Sequence, residues 1–369
     1  MGLSWVATEA KTGIIIADLP LLQVDKVKSV IGRYDSTPAT LPLPEAPENW
    51  LRATQAGATN MILLADNPAD PAHGIPLWGG MVTIRKRTAG NLIPMTLASL
   101  ESYLDRRYVG DYAPVGVGQN DIINYLMTNY VIASGVPFRV AFSGSGTARD
   151  RTYADQDNMT VYSAMQNLMG VIGGPEWTVG WEWQANPERI TPVMYVSSRI
   201  GTAAPAASGP NATFEMDRLG GPVTDFLYTE DYSNGKGATS VIANSTGTTA
   251  ARPRSAPQSI ADLSRPKFEY RFTPSTSISV TATLDSYALA AVTALDGGTN
   301  SIGLSGEIPD SPRLGIDWNI GDDIGYQLGM DGSLPSLPGG ISGIARAVGW
   351  EMTLGNTQII TPIIAGSAL

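Results

Sequence analysis

The segment 312–328, Pro-Arg-Leu-Gly-Ile-Asp-Trp-Asn-Ile-Gly-Asp-Asp-Ile-Gly-Tyr-Gln-Leu, constrains the fold more than any other part of the chain. Apolar residues alternate with polar ones or glycine over 316–320 and again over 324–328, the period of a half-buried strand, and a Gly-Asp turn separates the two runs. The segment reads as a barrel strand entering a tight corner, and it carries no reactive side chain. A chain built of such units poses a question of assembly before one of reaction.

The rest of the chain has the same character. Forty glycines and 26 prolines, with only 16% charged residues, suit many strands joined by many turns; a helical bundle would coat its outer faces with Lys, Glu and Arg. At 369 residues the length allows two to three domains with well-buried cores. The absence of cysteine excludes disulfides, thiolate metal sites and Cys nucleophiles, and fits a reducing site of synthesis such as a cytoplasm. A formal net charge of -10 argues against a surface that captures phosphate backbones, so DNA in transit should slide past the protein. The opening Met-Gly-Leu-Ser-Trp-Val lacks the basic start and apolar run of a signal peptide, and Val6 stands where a myristoylation motif needs Ser or Thr. No segment reaches the ~18 apolar residues of a membrane span, so a soluble, non-exported chain is expected.

Periodicity divides the chain into four parts. Residues 1–115 form a β-rich N-terminal domain. Its strands are expected at 12–17, 23–31, 60–64 and 77–87, with a bulge at Gly79-Gly80, an extended or turning stretch spaced by Pro38, Pro42, Pro44 and Pro47, and a short helix over 97–104 capped by Thr96. Residues 116–137 form a helical connector, with Asp121 placed to cap a helix over 119–132. Residues 138–222 read as a small α+β domain, a helix over 160–171 introduced by Asp157 or Asn158 and lying on an antiparallel sheet of strands 138–142, 177–184 and 191–197. Residues 223–369 return to β structure. They hold an exposed loop over 242–266 that a partner could order, strands at 267–272, 277–280, 345–354 and 358–364, and a helix over 284–294. The fold class is therefore mainly β with α+β.

A search for chemistry finds little. His73 is the one histidine, and it reads as a solvated loop residue beside Asp70, because a metal needs three or four convergent ligands. Two carboxylates would serve a glycosidase. The pairs Asp155/Asp157, Glu176/Glu182, Glu230/Asp231 and Asp322/Asp323 qualify by proximity, but adjacent residues on a strand face opposite ways, and Asp155 and Asp157 read as helix caps. The Gly-rich runs at 143–147 and 233–240 lack P-loop spacing. Trp177, Trp181 and Trp183 share one strand face, which could fill a core or line a sugar groove. No catalytic, cofactor-binding or metal residue is assigned.

The Asn49-Trp50 block, Trp78-Gly-Gly-Met-Val-Thr, Ser102-Tyr-Leu-Asp-Arg-Arg-Tyr-Val, Arg149-Asp-Arg-Thr-Tyr, Gly173-Gly-Pro-Glu-Trp and the terminal Gly349-Trp350 strand together resemble the minor tail proteins of long-tailed phages infecting actinobacteria. These are similar to the tail-hub and baseplate-hub proteins of other tailed phages. The resemblance implies two tail-tube-like β-barrel domains flanking a smaller mixed α+β domain. It implies a homotrimer at the virion tail tip that matches a sixfold tube to a threefold tip, without enzymatic activity or cofactor. Its partners would be tail-tube and distal tail proteins, the tape-measure protein, other tip or fibre proteins and, late, the host envelope. Trp50, Trp78, Trp318 and Trp350 are the packing or interface candidates. Two other functions compete: a carbohydrate or receptor binder using the Trp177 stripe, and a cell-wall glycoside hydrolase.

Overall fold

The computed structural model describes residues 2–205, 207–217, 220–246, 252–261 and 264–365. Strand makes up 42% and helix 14% of the chain, so curled sheets set the architecture. Two compact units result: residues 1–225 with 304–365, and residues 226–303 with 366–369, the last four lying outside the described residues. Among the described residues no helix is long and apolar enough to cross a membrane.

The first unit holds a seven-stranded sheet in the order Ile15–Asp18, Leu3–Glu9, Thr59–Ala65, Ile75–Arg85, Leu92–Ser99, Ser36–Pro42, Gln23–Val24. Thr59–Ala65 is buried at every position, as its continuous apolar run requires of a strand covered on both faces. The bulge lies elsewhere than at Gly79-Gly80. Those glycines pair regularly with Ile62 and Met61, and the register slips beside them, between Leu63 and Leu64 and between Val82 and Ile84. Gly79 is small because the Trp181 ring fills the space of a side chain: a Cβ there would stand 2.3 Å from it. The proline-spaced stretch forms the strand Ser36–Pro42. Only Ala39 and Thr40 pair with Gln23–Val24, so neither Pro38 nor Pro42 has to donate to that edge. The helix expected over 97–104 shrinks to Glu101–Leu104, because Leu97 is paired to Thr37 and Val82 in the sheet.

A second sheet is built on the 13-residue strand Ile341–Thr353. One edge pairs first with Asp323–Leu328 and then with Lys26–Val30; the other pairs with Ile359–Ile364. A strand from the beginning of the chain thus completes a sheet made from its end. Thr213–Met216 adds in parallel to Asp323–Leu328. The opening segment keeps only its second strand. Over 316–320 the backbone turns instead, because Asp317 accepts from the Arg313 backbone N–H (2.7 Å) and from its Nε and Nη2 (both 3.1 Å), a local side-chain lock that competes with a ladder.

Between these sheets in sequence lies a three-stranded sheet in the order Arg139–Phe142, Glu188–Ser197, Glu176–Ala185. It is mixed, not antiparallel: Arg139–Phe142 runs parallel to its neighbour. Helices Gln119–Leu126 and Val161–Met169 bury Ile122, Leu126, Met165 and Leu168 against Trp177, Trp181 and Met194. Neither helix is capped as expected, by Asp121 or by Asp157 or Asn158. Thr160 Oγ1 accepts from Ser163 N–H at 3.1 Å, and Gly118 precedes the other helix with Asp121 in its first turn.

The second unit packs helix Thr281–Leu295 on a sheet of Gln258–Ser259, Ser240–Ala243 and Glu269–Phe272, burying Leu284, Ala288 and Val292 against Val241 and Ala243. Residues 277–280 form no strand; they lead into this helix, with Ile278 turned to its core. The loop expected over 242–266 is partly sheet, and Ser255 is buried, with Oγ accepting from Ala243 N–H at 2.9 Å. Residues 247–251 and 262–263 lie outside the described residues.

Candidate functional site

The carboxylates considered for catalysis hold the first unit together. Arg346, on the second sheet, forks onto Glu176, which opens a strand of the three-stranded sheet: Nη1 reaches Oε1 at 2.6 Å and Nη2 bonds Oε2. Nη2 also donates to the Ile200 carbonyl (2.8 Å) and Nε to the Gly321 carbonyl (3.1 Å). Glu176 pushes the Arg346 pKa above its ordinary value, so this cation is permanent. Arg199 Nη2 meets Asp323 Oδ1 at 2.5 Å, and Ala204 N–H donates to the other oxygen at 2.9 Å. Asp322 accepts from Thr202 and Asn319 N–H at 2.6 and 2.8 Å. Here Gly201 and Gly321, both at positive φ, approach so closely that a Cβ on Gly201 would stand 2.0 Å from the Gly321 carbonyl carbon.

The other pairs are similarly occupied. Glu182 takes Arg139 at 2.5 Å and Tyr195 Oη at 2.6 Å; burial pushes its pKa up, but these two bonds outweigh it and the net shift is downward. Asp231, in the second unit, accepts from Lys236 and from Ser233 N–H, which hold its carboxyl well below the usual range. Asp155 and Asp157 form a single 3-10 turn. Among the described residues no three His, Asp or Glu side chains could share a metal ion.

A cleft of about 710 Å³ opens beside the junction, walled by Leu77, Phe142, Thr178, Trp181, Leu314 and Trp350. Trp350 is the one of the four candidate tryptophans that lines it. Trp78 is buried edge-on against Trp5 at 6.0 Å and donates its indole N–H to the Lys28 carbonyl at 3.1 Å, fastening the strand that joins the second sheet. Trp318 packs edge-on against Phe214 and donates to the Pro312 carbonyl at 3.0 Å, and half-buried Trp50 opens the helix Trp50–Ala53. In the Trp177 stripe, Trp177 and Trp181 are buried, and part-buried Trp183 donates its indole N–H to the Gly74 carbonyl at 2.7 Å.

Two titratable groups went unnoticed or unpartnered in the sequence. His73 lies between two carboxylates, Asp70 Oδ2 at 2.7 Å and Glu188 Oε1 at 3.4 Å, with its ring 4.8 Å from Trp183. Glu101 is buried, bonded to Ser99 and to the Val179 N–H, and burial pushes its pKa up to about 7. Arg346 was hidden inside a largely apolar strand where Glu351 is the other charged residue, and a lone cation among apolar neighbours is the signal that could have marked it.

No family model matches the sequence. No curated protein matches it either. Solved structures do. The chain is similar to the 43 kDa tail protein of prophage MuSo2 from Shewanella oneidensis, at TM-score 0.59 and 10% identity, covering 98% of each chain. A tail protein from Neisseria meningitidis MC58 matches at TM-score 0.56 and 11% identity, over 99% of this chain and 96% of that one. The Francisella PdpA-VgrG complex matches at TM-score 0.55 and 7% identity, with all of this chain covering 58% of that chain. At these identities the likeness is one of fold: a mainly β fold similar to that of these phage tail proteins.

Proposed function

We propose that this chain is a structural protein of a phage tail, placed at the tail tip as a trimeric hub that caps the tube and passes the tape-measure protein and DNA. The observation that carries the reading is the fold likeness to the MuSo2 tail protein, which runs over 98% of each chain. Two seven-stranded sheets, the second completed by Lys26–Val30, would supply two tube-like barrels per subunit, six in a trimer. In this arrangement residues 1–115 and 223–369 supply the barrels, with strand 26–30 lent to the second; 116–137 is the connector and 138–222 the peripheral domain. The phage would be a long-tailed one infecting actinobacteria, the chain made in the host cytoplasm, and its neighbours the tube, distal tail and fibre proteins. The work is mechanical and electrostatic: a net charge of -10 disfavours adhesion of passing phosphates. Native mass measurement tests the assembly. A species of three times the 39.0 kDa chain is expected, and a stable monomer at virion-like concentration would sink the hub. Zymography on cell-wall material should show no clearing.

A further inference from the structure

The Gly-rich run at 233–240, which lacks P-loop spacing, holds a different chemistry. Of the chain's sixteen asparagines only Asn234 precedes a glycine, and glycine puts no side chain in the way of its own backbone nitrogen as that nitrogen approaches the asparagine amide. In the fold these two residues form the centre of a turn, closed by Lys236 N–H on the Ser233 carbonyl at 3.0 Å, with φ of 51° at Asn234 and 88° at Gly235. Positive φ at both central positions is the type I′ requirement, which Asn and Gly meet at least cost. Packing demands the glycine a second time, because a Cβ on Gly235 would stand 2.3 Å from the Tyr270 ring. The fold thus keeps in place the residue that leaves Asn234 open to attack. Asn234 is exposed, and among the described residues neither its side chain nor the Gly235 N–H has a hydrogen-bond partner. No hydrogen bond of either group has to break first. Asn300, also exposed and followed by Ser301, lies instead within the strand Thr299–Glu307.

We propose that Asn234 is a site of spontaneous modification, converted through a cyclic imide to a mixture of aspartate and isoaspartate. The Gly235 nitrogen gives its proton to solvent base and bonds to Asn234 Cγ. The C–N bond of the side-chain amide breaks, and its nitrogen leaves as ammonia. Water then adds to either ring carbonyl and breaks that carbonyl's bond to the Gly235 nitrogen, which regains its proton. Opening at Cγ leaves aspartate; opening at the main-chain carbonyl leaves isoaspartate, with an extra methylene in the backbone. Either product adds a negative charge to the turn that the Lys236–Asp231 ion pair spans, and the iso form no longer fits that turn. The inference does not depend on the proposed tail role.

The test incubates the purified, folded full chain at pH 7 and pH 9 and follows each asparagine by peptide mass spectrometry that separates aspartyl from isoaspartyl products. Both products are expected at position 234, formed roughly tenfold or more faster than conversion at Asn300, since only Asn234 faces an unhindered glycine nitrogen. The rate should be higher at pH 9, because the attacking nitrogen must lose its proton. In the isoaspartyl fraction the Lys236 amide should exchange faster than in the parent, having lost its bond to Ser233. Asn234→Gly keeps the positive φ without the amide, so it should melt with the parent and lack the fast conversion. Asn234 still intact when Asn300 has converted, aspartate formed without isoaspartate, a rate indifferent to pH, or conversion confined to chain unfolded in urea overturns the inference.

Discussion

Glu101 is the residue whose environment departs furthest from its chemistry. A carboxyl at 4% exposure, bonded to Ser99 and the Val179 N–H, keeps its proton to about pH 7, whereas the same group in the unfolded chain releases it near 4.5. The folded state therefore binds the proton more tightly. Its contribution is complete below the unfolded value and is lost as pH rises through the folded one, a change of about 3 kcal/mol. Denaturant titrations at pH 5 and pH 8 should show the parent less stable at the higher pH, with Glu101→Gln reducing that difference and unfolding at higher denaturant at pH 8. His73 works in the same direction. Asp70 chiefly, aided by Glu188 and opposed by desolvation, raises its pKa above 6.5, so its contacts stabilise at low pH and fade as pH rises through the folded value. It is the only histidine, so its imidazole resonance can be followed without assignment, and Asp70→Asn should move the midpoint down. The sequence showed His73 beside Asp70 but could not show Glu188, because that approach depends on a hairpin far along the chain.

At the scale of elements, what was legible followed from period. Continuous or alternating runs such as Thr59–Ala65, Glu176–Ala185 and Ile359–Ile364 declared themselves as strands. Leu3–Glu9 did not, since Trp5 through Thr8 are buried on both faces and the alternation vanishes. Turn chemistry hid the rest: the Arg313–Asp317 lock overrides an alternating pattern, and Thr160 displaces two nearby aspartates as the cap. Two substitutions test how elements meet. Gly79→Ala drives a methyl into the Trp181 ring and should cost about 1–3 kcal/mol, read from the denaturation midpoint. Arg346→Ala leaves the Glu176 carboxylate without its fork and should cost about 2–3 kcal/mol; Glu176→Gln in the same chain should recover part of that loss, which a double-mutant cycle measures.

For the whole molecule, the sequence conveyed a mainly β chain, and the resemblance pointed to phage tail proteins, to which the fold is similar. What no pattern could convey was the exchange of Lys26–Val30 into the second sheet, because pairing partners more than three hundred residues apart leave no local trace. Lys28→Pro removes a ladder N–H opposite Glu351 and should lower the melting temperature of the whole first unit in one transition, as differential scanning calorimetry would record. The exchange also imposes a timetable. During synthesis Lys26–Val30 emerges more than three hundred residues ahead of its partner residues 349–353, so this part of the second sheet cannot close until they follow. Such long-range pairing is slow to form. A product interrupted before residue 349 would lack a finished second sheet, so the pairing makes completion of that sheet depend on translation of residues 349–353.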